Sequence, residues 1–171
     1  YDASTTHAGL SQEIVEYYQI VAKQSLSVEN AEAMISGSIL EDEPSSRVTR
    51  HFYDPVNNTG LLSVWQSSKE WLDENKNEFA WDKGIAAYAH GDEKKAFEIL
   101  GHALHLLEDA SVPDHTRNDP HASLGLSGFY SNSPYENWTQ ENKDRATMKG
   151  AGNNLATQTQ VIPDFSSPEE A

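Results

Sequence analysis

The chain contains no cysteine. That excludes a disulfide framework and a zinc–thiolate site, so any metal centre must be built from nitrogen and oxygen ligands. It is also poor in positive charge: 12 Lys and Arg stand against 27 Asp and Glu, a formal net charge of -15. A broad nucleic-acid footprint needs basic residues to neutralise phosphates, and the acidic balance disfavours one. It leaves room for a small phosphate site built around metal. No apolar run approaches the roughly eighteen residues that a membrane span requires, and no signal-peptide pattern stands at the start.

What is present is helical periodicity over nearly the whole length, and the fold class it predicts is all-α. At 171 residues the chain fits one domain with a core large enough to bury most of its apolar surface. The pattern predicts an amphipathic helix over 7–27, with Leu10, Ile14, Tyr17, Val21 and Leu26 buried, and a shorter helix over 29–40. Residues 41–60 read as loop, marked by Glu43-Pro44-Ser45-Ser46 and Asp54-Pro55-Val56-Asn57-Asn58. A third helix is predicted over 60–76 with Leu62, Trp65 and Trp71 on its apolar side, and a fourth over 81–90. After Gly91, Asp92 is the expected N-cap of a central helix running to about residue 110. Gly101 within it costs about 1 kcal/mol relative to alanine, which close packing against another helix would explain. A long loop over 112–133 suits a functional segment, and a last helix starts near Pro134. The predicted helical domain is 1–149; residues 150–171, rich in Gly, Asn, Gln, Ser and Pro, read as an irregular tail or linker.

The most informative stretch is LGHALHLLEDASVPDH, residues 100–115. His105 and Asp109 are four apart on a predicted helix, so they project from one face. Pro113 ends that helix and His115 follows on a chain that has just turned. An imidazole and a carboxylate on one face can share a zinc ion, and a third ligand from the turn can serve that ion or a neighbour. The bland alternative is a helix-surface pair, and a lone His-x-x-x-Asp is a weak signal. Here the pair adjoins an apolar stripe of Phe97, Leu100, Leu104 and Leu107, predicted to be buried. His102 lies near the same side and reads as a supporting neighbour of the ligands. More candidates lie elsewhere: His7 in TTHAGL, Asp42 in GSILEDE, His51 in RHFYDP, His121 six residues after His115, and Glu136 in SNSPYENW.

Taken in order, these motifs resemble the zinc-dependent phospholipase C superfamily, which also contains single-strand-specific nucleases. The nearest likeness is to bacterial phosphatidylcholine-preferring phospholipases C. An Asp is followed by His-Phe-Tyr-Asp-Pro, then Leu-His-x-Leu-x-Asp-x-x-x-Pro-x-His, then Tyr-Glu-Asn, across residues 7 to about 140. The resemblance implies a helical bundle holding two or three zinc ions. One would be held by Asp42, His51, His105 and Asp109. A second would involve His7 and Asp109, the latter bridging, completed in the family by an aromatic N-terminal residue; Tyr1 is aromatic but is not counted among the ligands here. A third would take His115 and Glu136. Asp42 and Asp109 are the residues to which it implies catalytic roles, as general base and bridging carboxylate.

Two departures from the phospholipase pattern matter. Its histidine four residues before the glutamate is Asn132 here, and a neutral amide is a poor zinc ligand. His121 is the substitute expected, because Asn118-Asp119-Pro120 is turn chemistry that can fold the loop back. The aromatic residues of the choline pocket are also not evident: Glu43 follows Asp42, and Val48 lies three before His51. Phe52, Tyr53, Phe129, Tyr130 and Tyr135 remain candidates to line a cleft, or core packing. The resemblance implies export and hydrolysis of a phosphate ester, with a phospholipid head group as the foremost substrate. A nuclease or nucleotidase, or a non-catalytic zinc-stabilised domain of a larger secreted protein, are the alternatives.

Overall fold

A computed structural model describes residues 3–120 and 133–141. All regular structure among these is helical, apart from a lone antiparallel bridge between Asp54 and Thr59. A single π-helical turn, Ala3–His7, leads into α1 (Ala8–Ala22). Helix α2 (Val28–Leu40) starts at Ser27, whose side chain accepts from the Asn30 amide. Short 3₁₀ turns occupy Ser45–Arg50 and Leu61–Ser63. Then come α3 (Ser68–Asp73), α4 (Trp81–Ala89), α5 (Glu93–Asp109), α6 (Pro113–Thr116) and α7 (Pro134–Glu141). The expected N-cap of the central helix is in place: the Asp92 side chain accepts from the Lys95 amide.

The helix expected over 60–76 does not form as one unit. Leu62 and Ser63 take positive φ values of 54° and 59°, a left-handed conformation that no α-helix can continue. The chain restarts at Ser67, where a capping box with Glu70 opens the short α3. Leu62 and Trp65 are exposed rather than packed. A second correction falls on 112–133, where a loop was expected: Pro113 sits at the first position of α6, where its missing N–H is no loss. The predicted tail and residues 121–132 lie outside the described residues.

Helices α2 and α5 form the central pair, with α4 and α1 packed on them. Two glycines set their approach. A Cβ on Gly101 would lie 2.0 Å from the Met34 carbonyl oxygen, and one on Gly37 would lie 2.0 Å from that of Glu98. Any side chain would force the axes apart, so Gly101 is tolerated for the reason its sequence context suggested.

This contact decides which face of α5 is inside, and it is not the leucine stripe. Gly101, His102, His105, Leu106, Glu108 and Asp109 are buried, while Leu107 is 68% exposed and Phe97, Leu100 and Leu104 are partly exposed. The same inversion occurs on α1. Its buried line runs through His7, Ser11 and Val15, one turn apart, whereas Ile14, Tyr17 and Val21 are exposed and Leu26 is half-buried. Both helices turn hydrogen-bonding residues inward because their partners lie there: His7 and Ser11 meet Glu108 of α5, while His105 meets Ser38 of α2 and His102 meets Glu41 at its C-terminus.

Candidate metal centre

Asp109 ends α5 and is buried among four imidazoles. Its Oδ2 lies 2.8 Å from His51 Nδ1, 3.4 Å from His105 Nε2 and 3.5 Å from His115 Nδ1, while Oδ1 lies 3.4 Å from His7 Nε2. One carboxylate thus presents its two oxygens to two different sets of rings. Asp42, at the end of α2, stands 3.6 Å from His51 Nδ1 and 3.6 Å from His105 Nε2. On α7, Glu136 Oε1 lies 3.4 Å from His115 Nε2.

These separations are informative. Ligands about 2.0–2.1 Å from a tetrahedral zinc stand about 3.3 Å from one another. Most of the spacings here cluster at 3.4–3.6 Å, longer than a good charge-assisted hydrogen bond of about 2.7–2.9 Å. His105 Nε2 and Asp109 Oδ2 are buried yet have no aligned hydrogen bond, which is costly unless a shared cation satisfies them. The donor set therefore fits zinc. Among the described residues, two groups of side chains have ligand atoms within 4.8 Å of one another: His7, His105 and Asp109; and Asp42, His51 and His105. His105 belongs to both, and one nitrogen lone pair serves one ion, so two ions here would need a carboxylate to join them, and Asp109 is placed to do so.

Local structure fixes each ring. His105 Nδ1 lies 2.6 Å from the Ser38 carbonyl oxygen, which can only accept, so Nδ1 carries the hydrogen and Nε2 keeps its lone pair. His7 Nδ1 donates to Glu108 Oε2 at 2.7 Å, and Ser11 donates to the other oxygen of Glu108 at 3.3 Å. The His51 segment is strapped to α6: the Tyr53 amide donates to the His115 carbonyl at 3.1 Å, and the Phe52 ring packs on the His115 ring at 4.6 Å. Phe52 is thus core rather than cleft lining. Ser133 caps α7 by accepting from the Glu136 amide at 3.2 Å and donates to Asp114, which ties Glu136 to α6.

Behind Asp42 lies a second buried polar cluster. Glu41 accepts from Arg47 Nη2 at 2.5 Å, His102 Nδ1 at 2.5 Å and Trp71 Nε1 at 3.0 Å. His102 stacks on Phe79 with ring centroids 3.7 Å apart, in keeping with the supporting role its position suggested.

Electrostatics follow the geometry. Burial alone would favour neutral Asp109, but the imidazoles of His105, His115, His51 and His7 hold its carboxyl well below the usual range. Burial works against the charged forms of His7 and His115, yet Asp109 with Glu108 raises the first to about 9, and Asp109 with Glu136 the second to about 9. Glu41 resists burial too, kept below its ordinary value by His102 and Arg47.

Of the eight predicted ligands, seven converge: His7, Asp42, His51, His105, Asp109, His115 and Glu136. His121, with Asn132 and Tyr1, lies outside the described residues. Sequence reasoning passed over Glu108, Glu41 and Arg47; the available signal was that Glu41 and Glu108 each immediately precede a predicted ligand aspartate. No described helix is long and apolar enough to cross a membrane.

No family model matches the chain. Among curated proteins, a phospholipase C of Paraclostridium bifermentans is 30% identical over 111 residues, covering 63% of this chain and 27% of the relative. The chain therefore spans about a quarter of that relative's length, and the likeness makes it a distant relation of a phospholipase C.

Proposed function

We propose that the chain is a zinc-dependent hydrolase of phosphate esters, most specifically a phospholipase C-like phosphodiesterase acting outside the cytoplasm. The observation that carries this reading is Asp109, with Oδ1 toward His7 and Oδ2 toward His51, His105 and His115. Asp42, His51, His105 and Asp109 would hold one ion; His7 and Asp109 would hold another; His115 and Glu136 a third, with His121 in place of the histidine missing at Asn132. When bound, zinc lowers the pKa of coordinated water to about 7 and offsets charge on a phosphoryl group.

The protein's own residues divide the remaining work. The Asp42 side chain is 33% exposed against 2% for Asp109, so Asp42 can meet both solvent and substrate. It is suited to accept the proton of the attacking water as that oxygen bonds to phosphorus and the P–O bond to the leaving alcohol breaks. Buried Asp109 is suited to hold metal and fix the spacing of the rings. Similarity to a phospholipase C favours a lipid head group over nucleic acid, as does the net charge of -15. The test is zinc content after purification without chelator, followed by turnover of lecithin vesicles, a generic phosphodiester and single-stranded nucleic acid. Two or three zinc ions with cleavage of lecithin are expected. Zinc uptake without hydrolysis of any of the three would leave a metal-stabilised domain and refute the enzyme.

A further inference from the structure

Both ligand aspartates follow a glutamate, giving Glu41-Asp42 just past the end of α2 and Glu108-Asp109 at the end of α5. We propose that each Glu-Asp pair is a split device: the aspartate faces the ion, and the glutamate before it orients a histidine of that same ion. This rests on the zinc reading above and adds two positioning residues to it.

Glu108 acts on His7. A ring that gives one nitrogen's lone pair to a metal carries its hydrogen on the other nitrogen, and that hydrogen needs an acceptor. His7 Nε2 faces Asp109, and its Nδ1 lies 2.7 Å from Glu108 Oε2. Ser11 holds the far oxygen of Glu108, so the carboxylate cannot swing away without losing a buried hydrogen bond.

Glu41 acts on His51. The Nδ1 of His51 faces Asp42 and Asp109, which leaves Nε2 to carry the hydrogen. That nitrogen is buried without a hydrogen-bond partner, and Glu41 Oε1 lies 3.9 Å from it. The carboxylate is itself clamped by Arg47, His102 and Trp71, so closing the gap falls to the ring. Arg47 also compensates the buried charge, which an orienting carboxylate in a closed interior requires. Adjacent residues can serve both purposes because their side chains diverge, by about 100° for Glu108 and Asp109 within α5, so that one points toward the ion and one past it.

The test uses the full chain with Glu41→Gln and Glu108→Gln, which keep an acceptor oxygen but remove its charge. Zinc affinity by competition with a chelator, the visible spectrum of the cobalt-loaded protein and the melting temperature of the metal-free protein are measured together. Each variant is expected to lose about 10–100-fold in affinity for one ion, a different one in each, with a changed cobalt spectrum. Ser11→Ala and Trp71→Phe, which loosen the glutamates without touching them, should weaken the same two ions respectively and by less. Parent-like affinity for both ions in either glutamine variant overturns the inference and leaves the zinc reading standing. So does an equal loss of both ions that tracks the metal-free melting temperature. A parent chain that takes up no zinc overturns the zinc reading, and the inference with it.

Discussion

Gly101 lies so close to Met34 that an added Cβ would stand 2.0 Å from the Met34 carbonyl oxygen. That contact seats His102 and His105 against the end of α2, where Ser38, Glu41 and Asp42 receive them. Gly101→Ala should therefore destabilise the protein by about 3 kcal/mol, the upper range for overpacking, despite alanine's better helix propensity. It should also lower zinc stoichiometry. Urea unfolding and elemental analysis read both, and an alanine variant as stable as the parent would refute the close approach.

Removing metal should lower the melting temperature, because the ligands come from separate segments that the ions tie together. The size of the drop should depend on pH. His7 and His115 have folded-state values raised from 6.5 to about 9. Their contribution to the metal-free fold is complete below pH 6.5 and is lost as pH rises through about 9. The gap between loaded and stripped melting temperatures should therefore widen from pH 6.5 to 9. A constant gap over that range would contradict the assignment of these two rings.

Loading zinc near pH 7.5 should release protons, since His7 and His115 start charged and a ligand nitrogen must be neutral. Calorimetric titration in two buffers of different ionisation enthalpy reads the number directly. Identical heats in both buffers would count against charged imidazoles in the stripped site.

Asp42→Asn should lower phosphodiester turnover by about 10²–10⁴, the usual contribution of a general base, and weaken the one ion that Asp42 would help hold, while its partly exposed position spares the metal-free fold. Asp109→Asn should instead lose more than one ion and stability together, since the four buried rings then lose the one carboxylate they share. Equal behaviour of the two variants in urea and in metal analysis would refute the division of roles.

His121→Ala should remove one zinc ion and most activity, and Asn132→Ala should do little. Full zinc content in the His121 variant would assign the third ion's missing ligand elsewhere.

Much of the site was legible because its spacing is local. His105 and Asp109 share a face at any helix of that length, and Pro113 fixes the turn that brings His115 back. The all-α fold was legible from periodicity, and the N-cap at Asp92 from its residue type. The third helix was misjudged although Ser67-x-x-Glu70 is itself a start signal. The buried faces of α1 and α5 were not legible, because reading periodicity assumes that apolar residues point inward. The partners that draw Ser11, His102 and Glu108 inside belong to other helices. The work of Glu41 was hidden for the same reason: Arg47, Trp71 and His102 meet it only after α2 and α5 have packed.

An interior furnished with imidazoles, carboxylates and a guanidinium has a thermal consequence. On unfolding, newly hydrated apolar surface raises the heat capacity and newly hydrated polar surface lowers it. With His7, Glu41, Arg47, His51, His102, His105, Glu108, Asp109 and His115 buried, and the leucine stripe of α5 already partly exposed, the increment should fall below the usual about 12–15 cal/mol/K per residue. The stability curve of the stripped protein would then be unusually flat, so that cooling costs it little and its resistance to heat is governed by enthalpy held in charged contacts.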